Sequence, residues 1–285
     1  MSSKYKKSFL TGGVGIEILS DEPVGDSGFF PLFLTKESAP ADVTVTVIRA
    51  ALPRPEGSVP FKTDRRMRVI SGGKVYDYTS FADASTLGYK PYACAVTKGN
   101  SVELYIDYPS PAWDTMVFDA LNIPDLLLAR GAVIAHASFI RYKGRGVIFA
   151  GGKQQGKSTQ ARLWNEYRGA EIINGDRAAL RHDGPFFTAH GIPFCGSSMV
   201  CVNAYAPLAA VVFPEKAPEN TVRELSAIES FKRLIGCLSY TEEDPVMRDT
   251  AMKRAELIAS ETRCFLLSCR PDAGAVEVLE RELGL

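Results

Sequence analysis

The chain has 285 residues, a length that suits one large domain or two smaller ones. Its 33 basic residues balance its 33 acidic residues, so we expect neither nucleic acid nor an anionic membrane as its main partner. With 46% apolar and 23% charged residues, the composition is typical of a globular protein and not of a disordered chain, a collagen or a coiled coil.

Membrane and export signals are weak along the whole sequence. A membrane span needs roughly 18 uninterrupted apolar residues, and the best candidate, residues 123–140, is interrupted by Asp125, Arg130 and His136. The basic N-terminus runs directly into residues 11–13, Thr-Gly-Gly, without the apolar stretch of a secretory signal. The six cysteines show no CxxC spacing. These features predict a cytoplasmic protein with reduced, mostly buried cysteines.

The first hundred residues have the pattern of a β-rich region. Short segments rich in β-branched or aromatic residues are separated, for the most part, by Gly, Asn or Pro, which is typical of antiparallel strands and hairpins. The predicted strands are residues 43–48, 66–70, 74–78, 93–97 and 101–106. Two prolines, Pro109 and Pro111, then break this pattern, and we place the end of the β-rich N-terminal region at residue 108.

After this break the apolar period changes to one in which strands and helices alternate. This alternation predicts an α/β domain over residues 109–285. The predicted helices are residues 113–121, 123–129, 158–167, 226–238, 244–261 and 273–283. The predicted strands are residues 133–142, 146–150, 171–174, 208–213 and 264–267.

Residues 151–158 read Gly-Gly-Lys-Gln-Gln-Gly-Lys-Ser and match G-x-x-x-x-G-K-[ST], the Walker A or P-loop pattern. The motif follows a short apolar strand and opens a helix, which is the context that a phosphate-binding loop requires. Loop N–H groups, the helix N-terminus and the ammonium of Lys157 attract phosphate, and the Ser158 hydroxyl suits Mg²⁺. The alternative is a glycine turn with a capped helix. The predicted nucleotide-binding residues are Gly151, Gly152, Lys153, Gln154, Gln155, Gly156, Lys157, Ser158 and Thr159.

A P-loop also needs a carboxylate near its metal, and Asp176 is the candidate. It follows the predicted strand 171–174. If that strand lay parallel beside the P-loop strand, Asp176 would stand at the carboxyl end of the sheet, next to the phosphates. The alternative is an ordinary Gly-Asp turn. His136 lies on the strand before the P-loop strand, where its position alone favours a histidine without a functional role.

Together these residues resemble the HPr kinase/phosphorylase superfamily, whose core is related to phosphoenolpyruvate carboxykinases. The resemblance covers residues 131–200 clearly and the rest of the C-terminal half loosely. It rests on His136-Ala137-Ser138, Tyr142-Lys143-Gly144, residues 146–151, Lys157-Ser158-Thr159, Gly169 and Asp176. The resemblance implies an α/β (α+β) fold with a P-loop core of that type, ATP and Mg²⁺ as cofactors, and catalytic roles for Asp176, His136 and Lys157. It also allows a homo-oligomer, because hexamers occur in the family.

The sequence departs from the family pattern at two places. Gly175 stands where the family has the first of two aspartates, so Asp176 is left without its usual partner. The family's Ile-Arg-Gly-Leu-Gly-Ile stretch is missing, and residues 190–198, His-Gly-Ile-Pro-Phe-Cys-Gly-Ser-Ser, stand in its place. This loop is consistent either with closure over an acceptor or with a plain turn. The resemblance therefore leaves open whether HPr is the target and whether the protein has phosphorylase activity.

These observations predict an ATP-dependent phosphotransferase, a kinase that transfers the γ-phosphoryl group to a hydroxyl of a protein, peptide or small molecule. Lys157 would hold the phosphates, and Ser158 with Asp176 would hold Mg²⁺. Asp176 is alternatively the base that accepts the acceptor's proton, with His136 orienting it. The competing interpretations are a phosphoenolpyruvate-carboxykinase-like enzyme, a nucleotide-binding regulatory module with little turnover, and a module whose N-terminal region binds a leader peptide.

Overall fold

The computed structural model describes residues 3–35, 41–81, 90–108 and 112–285. The predicted break at Pro109 and Pro111 lies outside the described residues. The chain forms two compact units, and each is discontinuous in sequence. Unit 1 comprises residues 1–10, 14–126 and 241–245, and unit 2 comprises residues 11–13, 127–240 and 246–285. The division into domains at residue 108 stays a prediction.

Unit 1 is built on an eight-stranded sheet whose strand order is β1-β2-β3-β8-β7-β6-β5-β4. Its strands are β1 (Tyr5–Thr11), β2 (Val14–Ser20), β3 (Val43–Arg49), β4 (Ser58–Lys62), β5 (Arg66–Ser71), β6 (Lys74–Ser80), β7 (Pro91–Lys98) and β8 (Ser101–Ile106). The prediction of antiparallel strands is correct for β5, β6 and β7. It is correct for β8 only toward β7, and it is wrong for β3, which pairs in parallel with both β2 and β8. Two short helices follow, α1 (Asp114–Ala120) and α2 (Ile123–Leu128).

Unit 2 contains nine strands and four helices among its described residues. Its strands are β9 (Ala132–Tyr142), β10 (Arg145–Ala150), β11 (Glu171–Asn174), β12 (Arg177–Asp183), β13 (Phe186–His190), β14 (Tyr205–Lys216), β15 (Thr221–Glu224), β16 (Leu238–Ser239) and β17 (Cys264–Cys269). Its helices are α3 (Lys157–Arg168), α4 (Ala227–Ile235), α5 (Pro245–Glu261) and α6 (Ala273–Leu283). Large sheets together with helices make this a mixed α/β fold, consistent with the predicted α+β class.

The sheet of unit 2 has the order β10-β9-β12-β13-β14-β17-β15, and β10 also pairs in parallel with β14. Apolar side chains cover both faces, because successive residues of a strand point to opposite sides. Val147 and Phe149 of β10 pack with Trp164 of α3 in one buried cluster. Ile148 between them belongs to a second cluster on the other face, which includes Leu234 of α4 and Ile258 of α5. The strand that leads into residues 151–158 is therefore held rigidly from both sides.

The strand arrangement considered for Asp176 is not the one that the chain adopts. The strand that precedes Asp176, β11, does not lie beside β10. Both strands pair antiparallel with β9, which therefore lies between them. A second difference is the hairpin of β12 and β13, which the sequence analysis did not predict. Its polar side chains, such as Arg181 and Thr188, obscure the strand pattern, and pairing with β9 and β14 supplies the backbone partners.

No helix among the described residues combines the length and the apolar character that crossing a membrane requires. All six cysteines are buried, as the sequence predicts: Cys94, Cys195, Cys201, Cys237, Cys264 and Cys269.

Candidate active site

The loop between β10 and α3 turns sharply through backbone conformations that favour glycine. Gly156 has a φ of +91° and forms the N-cap of α3 without any side-chain capping hydrogen bond. A glycine at this position adopts the left-handed region without the steric cost of a Cβ atom. The first N–H groups of a helix have no partner within the helix, and here no capping side chain satisfies them. They are available to an anion at the loop.

Lys157 lies inside this loop and not on its surface. Its side chain is only 8% exposed, and its Nζ donates to the carbonyl oxygens of Gly151 at 2.9 Å and Gly152 at 2.7 Å. Burial lowers the pKa of Lys157, whereas the neighbouring Cys237 and Asp176 raise it. The loop therefore encloses an amine that now binds two neutral carbonyl oxygens. An anion can take their place.

The remaining predicted nucleotide-binding side chains surround this amine. Gln155 folds back so that its Oε1 accepts from the Gly152 N–H at 2.6 Å. The loop thus already directs a backbone N–H at an oxygen atom. Ser158 is exposed at the first turn of α3 and Thr159 is half-buried, while Lys153 and Gln154 are exposed.

Cys237 joins this loop to strand β9, and sequence reasoning missed it. Its carbonyl oxygen accepts from the backbone N–H of His136 at 2.7 Å, and its thiol interacts electrostatically with Lys157 of the loop. Burial raises the pKa of this thiol. No sequence pattern marks Cys237, because it is distant in sequence from both of its partners.

Asp176 lies in the turn between β11 and β12. Its Oδ1 is 3.1 Å from Nε2 of His136, and its Oδ2 is 3.4 Å from Nε of Arg177. The backbone N–H of Ala137 donates to the Asp176 carbonyl at 2.9 Å, which fixes the turn against β9. The structure therefore brings together the two residues that the sequence analysis singled out outside the loop, His136 and Asp176.

Strand register explains why His136 and Asp176 lie near the loop. Ala137 of β9 pairs on one side with Ala150, the last residue of β10, and on the other side contacts the Asp176 carbonyl. Neighbouring strands are about 4.8 Å apart, so the Asp176 backbone lies two strand spacings from the start of the loop. The charges of Lys157 and Asp176 interact across this distance. The loop, His136 and Asp176 thus share one edge of one sheet.

A segment formed by residues 191–201 packs directly on the Asp176 turn, and we call it the covering segment. A Cβ atom placed on Gly196 would lie 2.7 Å from Cγ of Asp176. A Cβ atom placed on Gly175 would lie 2.3 Å from Cβ of Ser198. No side chain fits at position 175 in this arrangement. A larger residue at position 175 would require the Ser198 side chain to move.

Asn174 is a second residue that the sequence analysis missed. It is fully buried, and its Oδ1 accepts from the backbone N–H groups of Asp176 at 3.0 Å and Arg177 at 2.9 Å. An asparagine that bonds to the backbone two residues ahead is a recognised turn former. The Asn-Gly-Asp sequence carries this signal, which the analysis assigned to the Gly-Asp pair alone.

Gly196→Ala is expected to destabilise unit 2 by about 1–2 kcal/mol, because alanine strains a residue at a φ of +52° and its Cβ meets the Asp176 carboxylate. The variant should lower the melting temperature and also any turnover that depends on Asp176. Gly184→Ala is the matched control, since Gly184 has a φ of +82° with nothing within 4 Å of its Cβ position. Equal turnover in the two variants would contradict the close approach.

Comparison with known protein families finds no matching family, and comparison with curated proteins finds no match. Comparison with solved structures matches the HPr(Ser) kinase/phosphatase from Coxiella burnetii. The match covers 52% of this chain and 94% of that chain, with 14% sequence identity and a TM-score of 0.31. At these values the similarity is a distant one of fold, and it carries no argument about activity.

Proposed function

We propose that this protein is an ATP-dependent phosphotransferase with a P-loop core, which transfers the γ-phosphoryl group of ATP to a hydroxyl of a protein, peptide or small molecule. The observation that carries the proposal is the arrangement of Lys157, His136 and Asp176 at one edge of one sheet. A buried cation in a glycine loop suits a phosphate chain, and a carboxylate held by a histidine suits proton transfer to or from a hydroxyl.

The residues of the loop fit a triphosphate. The Gly152 N–H already donates to an oxygen, Oε1 of Gln155, which a phosphate oxygen can replace. The N–H groups at the start of α3 and the positive end of its dipole add to the attraction for an anion. Lys157 exchanges two carbonyl acceptors for phosphate oxygens, which bind an ammonium more strongly because they are charged.

The same edge of the sheet fits a magnesium ion carried by the nucleotide. Within the described ranges, no three His, Cys, Asp or Glu side chains cluster in a way that could hold a metal. Magnesium does not require such a cluster, since it is commonly bound by one or two carboxylates together with phosphates and water. Ser158 and Asp176 are the side chains that would hold it. When bound, the ion neutralises charge on the phosphates.

Residues of the chain can take up the proton that the acceptor hydroxyl loses. In the alternative to its role at the metal, Asp176 accepts the proton of the acceptor hydroxyl as that oxygen forms its bond to the γ-phosphorus, and the bond from the γ-phosphorus to the bridging oxygen breaks, so that ADP leaves. His136 contacts one carboxylate oxygen and Arg177 the other, so the carboxylate has a defined orientation. The amine of Lys157 stabilises negative charge on the phosphates.

The proposal is tested with ATP labelled on its γ-phosphate, Mg²⁺ and the purified protein in a cell lysate. Transfer of label to an acceptor, identified by mass spectrometry, is the expected result. ATP binding without label on any acceptor would instead support the alternative of a nucleotide-binding module with little turnover. Absence of ATP binding by calorimetry would refute the proposal.

A further inference from the structure

The amide of Asn174 uses all four of its hydrogen-bonding positions. Its oxygen accepts from the backbone N–H groups of Asp176 and Arg177, and its nitrogen donates to the carbonyl oxygens of Ile192 at 2.9 Å and Phe194 at 3.1 Å. Two donors face the oxygen and two acceptors face the nitrogen, so the orientation of the amide follows from its partners. The side chain is 0% exposed, and water does not compete for these bonds.

The oxygen and the nitrogen of this amide bind different segments of unit 2. The oxygen defines the turn that carries Asp176. The nitrogen binds the covering segment, residues 191–201. The backbone reinforces the connection, because Val202 N–H donates to the Ile173 carbonyl at 2.9 Å and Asn174 pairs with Cys201 in an isolated antiparallel bridge. The Cys201 thiol also donates to the Ile192 carbonyl, the same oxygen that Asn174 binds.

We propose that Asn174 is a positioning residue that makes the position of the Asp176 carboxylate depend on the covering segment. The inference rests on the proposed function for its catalytic consequence. A buried amide with four satisfied bonds transmits displacement in either direction, since moving one partner breaks a bond that water cannot replace. A phosphoryl acceptor that contacts the covering segment would thereby shift Asp176. The position of the carboxylate would then depend on whether that acceptor is bound.

Asn174→Asp tests the contacts of the amide nitrogen separately from those of the amide oxygen. The carboxylate has the same shape and keeps an oxygen for the N–H groups of Asp176 and Arg177. Its second oxygen faces the carbonyl oxygens of Ile192 and Phe194, which repel an ionised carboxylate, and a protonated carboxyl group keeps at most one of the two bonds to the covering segment. The substitution therefore removes the side-chain part of the connection, leaves the backbone bonds such as Gly175 N–H to the Val200 carbonyl at 3.3 Å in place, and retains the acceptor that forms the turn.

Asn220→Asp is the matched control. Asn220 is also in unit 2, its Oδ1 accepts from the Arg270 N–H at 2.8 Å, and its Nδ2 donates to Oδ1 of Asp272 at 2.8 Å. The same substitution therefore keeps one backbone bond and loses one donated bond at a place that does not involve Asp176. Asn174→Ser is a second test variant, because its hydroxyl can still accept from the turn but is too short to reach the covering segment.

The first measurement is hydrogen exchange, which needs no activity. In Asn174→Asp and Asn174→Ser, the covering segment should exchange faster by about tenfold, as loss of ordinary hydrogen bonds predicts. The Asp176 turn should also exchange faster, although it keeps its own acceptor at position 174. Faster exchange of the segment with an unchanged turn would overturn the coupling. So would unchanged exchange in both places.

The second measurement is ADP formation from ATP and Mg²⁺, together with ATP affinity by calorimetry. Asn174→Asp should lower kcat by about 10- to 100-fold, as expected for a misplaced catalytic group, with the Kd for ATP within about twofold of wild type. A merely structural role would lower kcat and the fraction of protein that binds ATP by the same factor, as loss of folded protein does. Wild-type kcat in Asn174→Asp would overturn the positioning role. If the wild-type protein neither binds nor hydrolyses ATP, the proposed function fails, and hydrogen exchange still decides the coupling.

Discussion

Lys157→Ala is expected to abolish ATP binding by this protein. The amine is the buried cation of the loop, and phosphate oxygens would replace the two carbonyl oxygens that it now binds. Charge-assisted hydrogen bonds contribute about 1.5–3 kcal/mol each, so loss of two of them corresponds to a weakening of the Kd by about 100-fold or more. Isothermal calorimetry with ATP and Mg²⁺ measures this change directly.

The fold should tolerate the substitution, because burial of an ammonium is itself unfavourable and alanine removes that cost. The melting temperature of Lys157→Ala should therefore stay close to that of wild type. Lys253→Ala is the control, since Lys253 is an exposed lysine of α5 paired with Asp249 at 2.8 Å. It should bind ATP as wild type does. Tight ATP binding by Lys157→Ala would show that Lys157 and its loop do not bind the phosphates.

Asp176→Asn is expected to retain ATP binding and to lose phosphoryl transfer. An amide has the size of the carboxylate but cannot accept the proton of the acceptor hydroxyl. Removal of a general base typically costs about 100- to 10,000-fold in rate. The experiment is ADP formation with ATP in excess, together with label transfer to any acceptor identified in lysate. Turnover at the wild-type rate would exclude a catalytic role for Asp176.

Asp183→Asn is a closely matched control for this experiment. Asp183 is 2.9 Å from Nε2 of His190 and 3.2 Å from Nε of Arg181, so it has the same kinds of partner as Asp176, within the β12–β13 hairpin. It should leave turnover unchanged. The Mg²⁺ dependence of ATP affinity distinguishes the two roles of Asp176. Loss of that dependence in Asp176→Asn identifies a metal ligand, and its retention with no turnover identifies a base.

Much of the local structure follows from the sequence. Helix α6 occupies the predicted residues 273–283, and β8 and β11 also have their predicted bounds. Polar and apolar residues alternate along β8, and Asp272 caps α6 by accepting from the Ala275 N–H. Such signals depend on residues within a few positions of one another. They are therefore readable without knowledge of the tertiary contacts.

Strand partners could not be read in the same way. The sequence analysis considered the strand before Asp176 as a neighbour of β10, whereas β9 separates them. Strands β12 and β13 were missed because their polar residues weaken the alternation, although β12 finds its backbone partner along β9. Which strands pair depends on contacts between distant segments, and the free energy of those contacts has to exceed the entropy lost on loop closure.

The loop of residues 151–158, between a strand and a helix, is predictable from local sequence, because its glycines, its lysine and the start of the helix lie within eight consecutive residues. The contact of His136 with Asp176, and the bonds by which Asn174 joins the Asp176 turn to the covering segment, are visible only in the folded chain. These bonds form between groups that strand pairing and burial bring together. Their strength comes from the exclusion of water, which no short stretch of sequence can provide.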